Sequence, residues 1–314
     1  MQRIANPSTP VRFRPQPPKI IMKNKISTAI IPVAGMGTRM LPATKAIPKE
    51  MLPIVNKPII QMVIEEVLSA GIRNIVFITR SGKEAIENHF DSNFELERAL
   101  EKKGEITLLE SLKKTVPKGI KISSIRQESP KGLGDAILCA SSLINEDHFS
   151  VLLPDELLLR KRGHQDFHNM VKTHNSSGKS LLLTEKISSS RVSNYGIVSF
   201  PSRKIFQDKI NKISGVVEKP SRSKSPSNFR IIGRYILPSI IFQAIKDSNT
   251  NKKNEIELTS PLNKIIRKNP NNFGLMLSKS DIFDCGSVYG YLGANLAFAM
   301  QDKNLKKYLK KIMK

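Results

Sequence analysis

The sequence predicts an α/β fold: a mostly parallel sheet with helices on both faces, which makes a three-layer α/β/α arrangement. Three observations predict it. Strand-like and helix-like segments alternate along the body of the chain. An apolar run, Ala29 to Val33, breaks directly into Ala34-Gly35-Met36-Gly37-Thr38-Arg39, so a short buried strand ends in a glycine loop. A second apolar run, Val151-Leu152-Leu153-Pro154, ends on Asp155. In open parallel sheets ligands bind beyond the carboxyl ends of the strands. The glycine loop and Asp155 are therefore expected in one crevice, although more than a hundred residues separate them.

The elements follow in order. The first strand is expected over 28–33. A helix over 58–70 stops at Gly71, a residue suited to ending a helix. A strand over 74–79 is followed by helices over 84–90 and 94–103. A strand over 121–126 leads into a helix over 133–142. The strand over 150–153 carries Asp155 at its end, and a helix over 165–173 follows. Strands over 180–184, 196–200 and 231–237 complete the expected sheet, with helices over 238–247, 257–268 and 290–300. Between the first strand and the first helix, Pro32, Pro42, Pro48, Pro53 and Pro58 hold a long loop in extended, non-helical segments. Loops of that length inside a compact domain are usually functional.

Composition bounds the function. A chain of 314 residues with 39% hydrophobic content can bury a proper core. No run reaches the roughly 18 uncharged apolar residues that a membrane helix needs. The N-terminal arginines Arg3, Arg12 and Arg14 are not followed by the apolar stretch of a signal peptide. Cys139 and Cys285 alone give no disulfide framework and no zinc spacing, which fits a reducing, cytoplasmic setting. The five histidines, His89, His148, His164, His168 and His174, show no metal-ligand spacing.

The formal charge of +24 raises nucleic-acid binding as a reading. Half of that excess lies at the two ends, in six basic residues over 1–25 and six lysines over 303–314, with no acid in either. The rest is lysine scattered without aromatic interleaving, the pattern of a solvated surface, so no nucleic-acid partner is expected. Residues 1–24 are basic and proline-rich and are expected to be disordered. Met22 precedes the first strand closely, and translation is expected to start there. The organisation is thus a 1–24 extension, a 25–302 body and a 303–314 basic helix or tail.

The chemistry concentrates in five stretches. Gly35-x-Gly37 lacks the third glycine of a dinucleotide fingerprint and the Gly-Lys-Ser/Thr ending of a P-loop, yet a glycine loop after a strand exposes backbone N–H groups to phosphate. Arg39 and Lys49 add two cations to the same loop. Asp155 is either a helix cap or a metal ligand. Gln127 offers a donor and an acceptor to a base edge, and Gly132 nearby allows close backbone approach. Glu218-Lys219 joins an acceptor for sugar hydroxyls to a point charge for one phosphate, or is a solvated ion pair. Asp284, before Cys285-Gly286, is a second metal candidate or the start of an ordinary turn.

From Gly35 to Pro53 the string follows G-x-G-T-R-M-L-P-x-T-K-x-x-P-K-E-M-L-P almost without a break. It resembles the signature of the sugar-1-phosphate nucleotidyltransferases and, within them, the bacterial-type uridylyltransferases that join UTP to glucose 1-phosphate. The resemblance runs from about Lys25 to the region of Asn295. It implies a Rossmann-like, mixed but mostly parallel sheet of the nucleotide-diphospho-sugar transferase type. It implies Mg2+ held by Asp155 and Asp284, and phosphates held by Arg39, Lys49 and Lys219. It implies a nucleotide bound by Ala34, Gly35, Gly37, Glu50, Gln127 and Gly132, and a sugar phosphate bound by Gly196, Glu218 and Lys219. It further implies a homo-oligomer, dimer or tetramer, built partly through C-terminal helices. Gly233-Arg234-Tyr235 matches a following strand and is read as structural.

Three positions depart from the family pattern. Asp135 stands where histidine is usual, Glu257 where glutamine is, and Val288 where a lysine commonly follows Asp-Cys-Gly-Ser. Lys279 is a candidate replacement for that missing cation. The departures leave two other readings open: the same chemistry with dTTP or another hexose 1-phosphate, and a non-catalytic subunit that binds a nucleotide sugar.

Overall fold

The computed structural model describes residues 25–115, 118–159, 165–201, 204–248 and 255–312. The expectations for 1–24, for a start at Met22 and for His164 lie outside the described residues. In chain order the strands are β1 Thr28–Pro32, β2 Pro53–Ile54, β3 Lys57–Pro58, β4 Asn74–Thr79, β5 Lys121–Arg126, β6 His148–Leu152 and β7 Glu156–Leu159. They continue with β8 Ser180–Lys186, β9 Gly196–Ser199, β10 Asn211–Lys212, β11 Gly215–Glu218, β12 Phe229–Pro238, β13 Phe273–Leu277 and β14 Asp281–Asp284. The helices are α1 Ile59–Ser69, α2 Glu84–Phe90, α3 Phe94–Lys102, α4 Ile106–Lys113, α5 Leu133–Cys139, α6 Asp166–Ser177, α7 Ile241–Ser248, α8 Thr259–Lys268, α9 Val288–Ala299 and α10 Lys303–Ile312.

The central sheet runs β10-β13-β8-β12-β6-β1-β4-β5, with β9 and β11 joined to it through β12. β5, β4, β1 and β6 are mutually parallel, and β13 is parallel to β8. β12 runs antiparallel to both of its path neighbours, so β8 and β13 share the direction of β6. The sheet is mixed but mostly parallel, as expected.

Alternation along the strands builds three layers. In β1, Ala29 and Ile31 join one apolar cluster and Ile30 joins the other; in β4, Ile75 and Phe77 oppose Val76 and Ile78. Side chains that alternate across a sheet, all apolar, require cover on both faces. α1 and α6 supply it on one face through Ile60, Val63, Phe167 and Met170. On the other face α5, α7 and α8 supply Ile137, Ile241 and Leu262. Each such side chain, fully buried, stabilises the fold by roughly 1.5–3 kcal/mol.

Two expectations about local structure are corrected. The loop after β1 is not wholly extended: it folds into three short 3-10 turns, Thr38–Met40, Ala43–Lys45 and Lys49–Met51. The helix expected to 142 ends at Cys139 and tightens into a 3-10 turn, Ala140–Leu143. β7, β11, β13, β14 and α4 had not been expected. β7 and β14 pair with each other off the main sheet, and in α4 only Leu109 is buried.

No helix among the described residues is long and apolar enough to cross a membrane.

Candidate active site

The carboxyl ends of β1, β5 and β6 open on one cleft, together with the start of β12, which runs the other way. After β1 the chain turns at Gly37, whose φ of 70° is left-handed and favours glycine. Thr44 Oγ1 donates to Gly37 O at 2.8 Å and closes the turn. Gly37 thus shapes the loop, while Ala34 and Gly35 line the cleft.

The turns of this loop bring Lys49 back over Gly35. Lys49 Nζ donates to Asp155 Oδ2 at 2.6 Å. Burial works against the Lys49 ammonium, yet Asp155 and Glu50 outweigh it and hold its pKa above the ordinary value. Burial likewise opposes the Asp155 charge, but Lys49 and then Arg39 hold that carboxyl below the usual range.

Asp284 reaches the same point through a local sheet. β14 pairs antiparallel with β7, setting Asp284 opposite Glu156, the neighbour of Asp155. Cys285 N donates to Asp155 O at 2.7 Å. Arg39 Nη1 donates to Asp284 Oδ2 at 3.1 Å, and its Nη2 lies 3.9 Å from Asp155 Oδ2. A side chain at Gly286 would put its first carbon 2.5 Å from Arg39 Nη2, 3.0 Å from Asp284 Oδ1 and 3.1 Å from Asp155 Oδ2. Glycine therefore makes room for the Arg39 guanidinium between the two carboxylates. Cys285 is buried, and burial with the two aspartates pushes its thiol up to about 12, the behaviour of a packing residue.

Two adjoining pockets share Asp155, Leu133, Leu153 and Glu255. One, about 380 Å³, is lined by Ala34, Gly35, Lys49, Gln127 and Gly132. The other, about 300 Å³, is lined by Arg39, Tyr195, Gly196, Glu218, Lys219, Glu257, Thr259 and Asp284. There Thr259 Oγ1 donates to Glu218 Oε2 at 2.5 Å. Gly196 stands opposite Glu218 in the β9–β11 pair, and a side chain on it would come within 3.4 Å of that carboxylate. Lys219 adopts a positive φ of 40°, uncommon for a non-glycine residue, and is held by its N–H to Tyr195 O at 3.0 Å. Its ammonium is largely exposed, 3.5 Å from Glu218.

The matching residues 28–301 fit the family model described as nucleotidyl transferase. The chain belongs to the nucleotidyl transferase family. It is 40% identical over 289 residues to the UTP–glucose-1-phosphate uridylyltransferase of Haemophilus influenzae, covering 91% of this chain and 97% of that one. With the enzyme of the same name from Bacillus subtilis it shares 39% identity, covering 91% and 95%. The solved UTP-bound UGPase from Acinetobacter baumannii superposes with a TM-score of 0.84 at 39% identity, covering 92% of this chain and 98% of that one.

In this nucleotidyl transferase the sequence-predicted residues gather at the two pockets, Gly37 excepted. Glu50 lines the nucleotide-side pocket, yet it is 1% exposed and pairs with Lys83 at 2.6 Å, so it meets the cleft as half of a buried ion pair. Burial pushes its carboxyl up and the Lys83 ammonium down, each against the pull of the partner. Gly132 and Gly134 give close approach, but to protein: side chains there would strike Ile256 O at 2.7 and 2.8 Å. The segments are joined by Gly134 N to Ile256 O at 2.8 Å and Ile256 N to Lys131 O at 2.7 Å. Lys279 does not replace a cation at Val288, because its ammonium pairs with Asp208.

Sequence reasoning missed the support beneath Asp155. Glu156 turns inward, where it accepts from Arg230 and from Gly233 N. Arg230 also bonds Glu185 and lies over the Tyr195 ring at 4.4 Å. A charged residue within a strand-like run, Arg230 or Arg234, was the available signal. Among the described histidines, His89 meets Gln61, His168 meets Ser69 O, and His148 packs on His174, all away from the cleft.

Proposed function

We propose that the chain transfers a uridylyl group from UTP to glucose 1-phosphate, giving UDP-glucose and pyrophosphate. The carrying observation is the meeting of Asp155 and Asp284 with Lys49 and Arg39 at the seam of two pockets. One pocket suits a base and its phosphates, the other a sugar phosphate.

A phosphate oxygen of glucose 1-phosphate attacks the α-phosphorus in line, and the bond to pyrophosphate breaks. No protein nucleophile is needed; positioning and charge stabilisation suffice. Lys219 holds the attacking phosphate and Glu218, fixed by Thr259, accepts from sugar hydroxyls. Lys49 and Arg39 already stand as donors on carboxylates and exchange these for phosphate oxygens as the triphosphate enters. Ala34, Gly35 and Gln127 face the nucleotide.

Asp155 and Asp284 suit a magnesium ion. They offer hard oxygen ligands at facing ends of β7 and β14, each now paired with a cation, Arg39 or Lys49, that the triphosphate would draw away. Magnesium is usually held by one or two carboxylates, water and substrate phosphates. When bound it neutralises the charge that builds on the phosphate oxygens. The reading carries with it a cytoplasmic enzyme, a catalytic unit over 25–302, and assembly as a dimer or tetramer.

The test is a panel of UTP, dTTP and CTP against several hexose 1-phosphates, with pyrophosphate release as readout. UTP with glucose 1-phosphate should give the highest kcat/KM. No release with that pair would overturn the reading.

A further inference from the structure

Gln127 sits just beyond β5, 6% exposed, on the wall of the nucleotide-side pocket. Its backbone N–H is anchored on Thr79 O at 2.8 Å. Its side-chain Nε2 donates to Asp135 Oδ2 at 2.7 Å and, more weakly, to Gly132 O at 3.4 Å. An ionised carboxylate and a backbone carbonyl have no hydrogen to give. Turned over, the amide would set its own oxygen against both and lose both bonds in a largely dehydrated place. The chemistry of the neighbours therefore dictates which way the amide faces.

Asp135 is itself fixed. It lies in the first turn of α5, where backbone amides favour a negative charge. The residue before it, Gly134, is pinned to Ile256 O. Both ends of the Gln127–Asp135 bond thus rest on backbone hydrogen bonds that need no ligand.

We propose that Asp135 is a positioning residue that sets the polarity of Gln127, so that Oε1, an acceptor only, reads the N3–H of a uracil ring. The inference rests on the nucleotidyl-transfer reading above. Uracil presents a donor at N3, whereas cytosine presents a lone pair there, which an amide oxygen repels. Discrimination between the two pyrimidines is then built into a side chain that need not touch the base. A histidine at this position can donate as well as accept and would not impose the same polarity.

The experiment measures kcat and KM for UTP and CTP in the wild type and in Asp135→Asn, Asp135→Ala and Asp135→His, with binding of each nucleotide by calorimetry alongside. Asp135→Ala and Asp135→His should lower the UTP-over-CTP ratio by about tenfold, the worth of one hydrogen bond. The loss should fall on KM for UTP rather than on kcat, with KM for glucose 1-phosphate unmoved. Asp135→Asn is isosteric but brings an N–H as well as an oxygen, so it should lower the ratio by the same route. A parallel loss for both nucleotides, or an unchanged ratio in all three variants, overturns the proposal. Wild-type failure to turn over UTP would instead sink the functional reading, and the calorimetric ratio would still decide the role of Asp135.

Discussion

Arg234 grips Glu66 with two parallel hydrogen bonds, Nε to Oε1 at 3.0 Å and Nη2 to Oε2 at 2.8 Å. The same guanidinium, 0% exposed, donates to the carbonyls of Leu153 and Glu156 at 3.0 and 2.8 Å. One arginine of β12 thus ties α1 to both sides of the Asp155 turn. Replacing it by methionine leaves Glu66 and two carbonyls without their donor. The expected cost is about 3–5 kcal/mol, read from denaturant unfolding. A change below about 1 kcal/mol would show that the clamp is dispensable.

Lys219 offers the opposite case. Its side chain is exposed and its nearest charge, Glu218, is 3.5 Å away. Lys219→Ala should leave the unfolding midpoint unmoved while kcat/KM for glucose 1-phosphate falls by roughly 10²-fold or more. Retained turnover would remove Lys219 from the proposed machinery.

Asp155→Asn and Asp284→Asn should each abolish magnesium-dependent pyrophosphate release, because two carboxylates are the proposed protein ligands. The check is a magnesium titration of both variants. Normal activity at ordinary magnesium in either one would exclude that residue as a ligand.

His148 gives a dependence on pH. Burial first, then the neighbouring His174, depresses its pKa to about 4, while Asp147 pulls the other way. An unfolded histidine titrates near 6.5. The unfolded chain therefore binds the extra proton between those values, and stability present above about pH 6.5 is lost as pH falls toward 4. With His148 half-buried, the loss is about 1–3 kcal/mol. His148→Gln should flatten that slope in urea melts between pH 6.5 and 4; an identical slope would assign it to other groups.

Much of this was legible in the sequence because it depended on local pattern. The strands at 74–79 and 121–126 and the helix at 84–90 fall where alternation and helical spacing put them. Asp155 follows its strand, as an acid closing an apolar run suggested. Pairings between distant residues were not legible. Nothing local marks Lys83 as the partner of Glu50, or β14 as the partner of β7 that brings Asp284 to Asp155. Gly132 was read as room for a base, yet the backbone that approaches it is that of Ile256, over a hundred residues away. Of the three departures, Asp135 acquires a partner in Gln127. Glu257 faces the sugar-side pocket, where burial and then Glu218 push its carboxyl up. Nothing in the structure explains Val288, whose side chain is exposed.

The backbone seam between 131–134 and 255–257 has a consequence for inheritance and for engineering. Its hydrogen bonds and side-chain-free contacts make the floor of one pocket the wall of the other. The preference for a base and the preference for a sugar are therefore not separate modules. A chimaera that imports 255–259 from a relative must import 131–134 with it, or the imported segment will not seat.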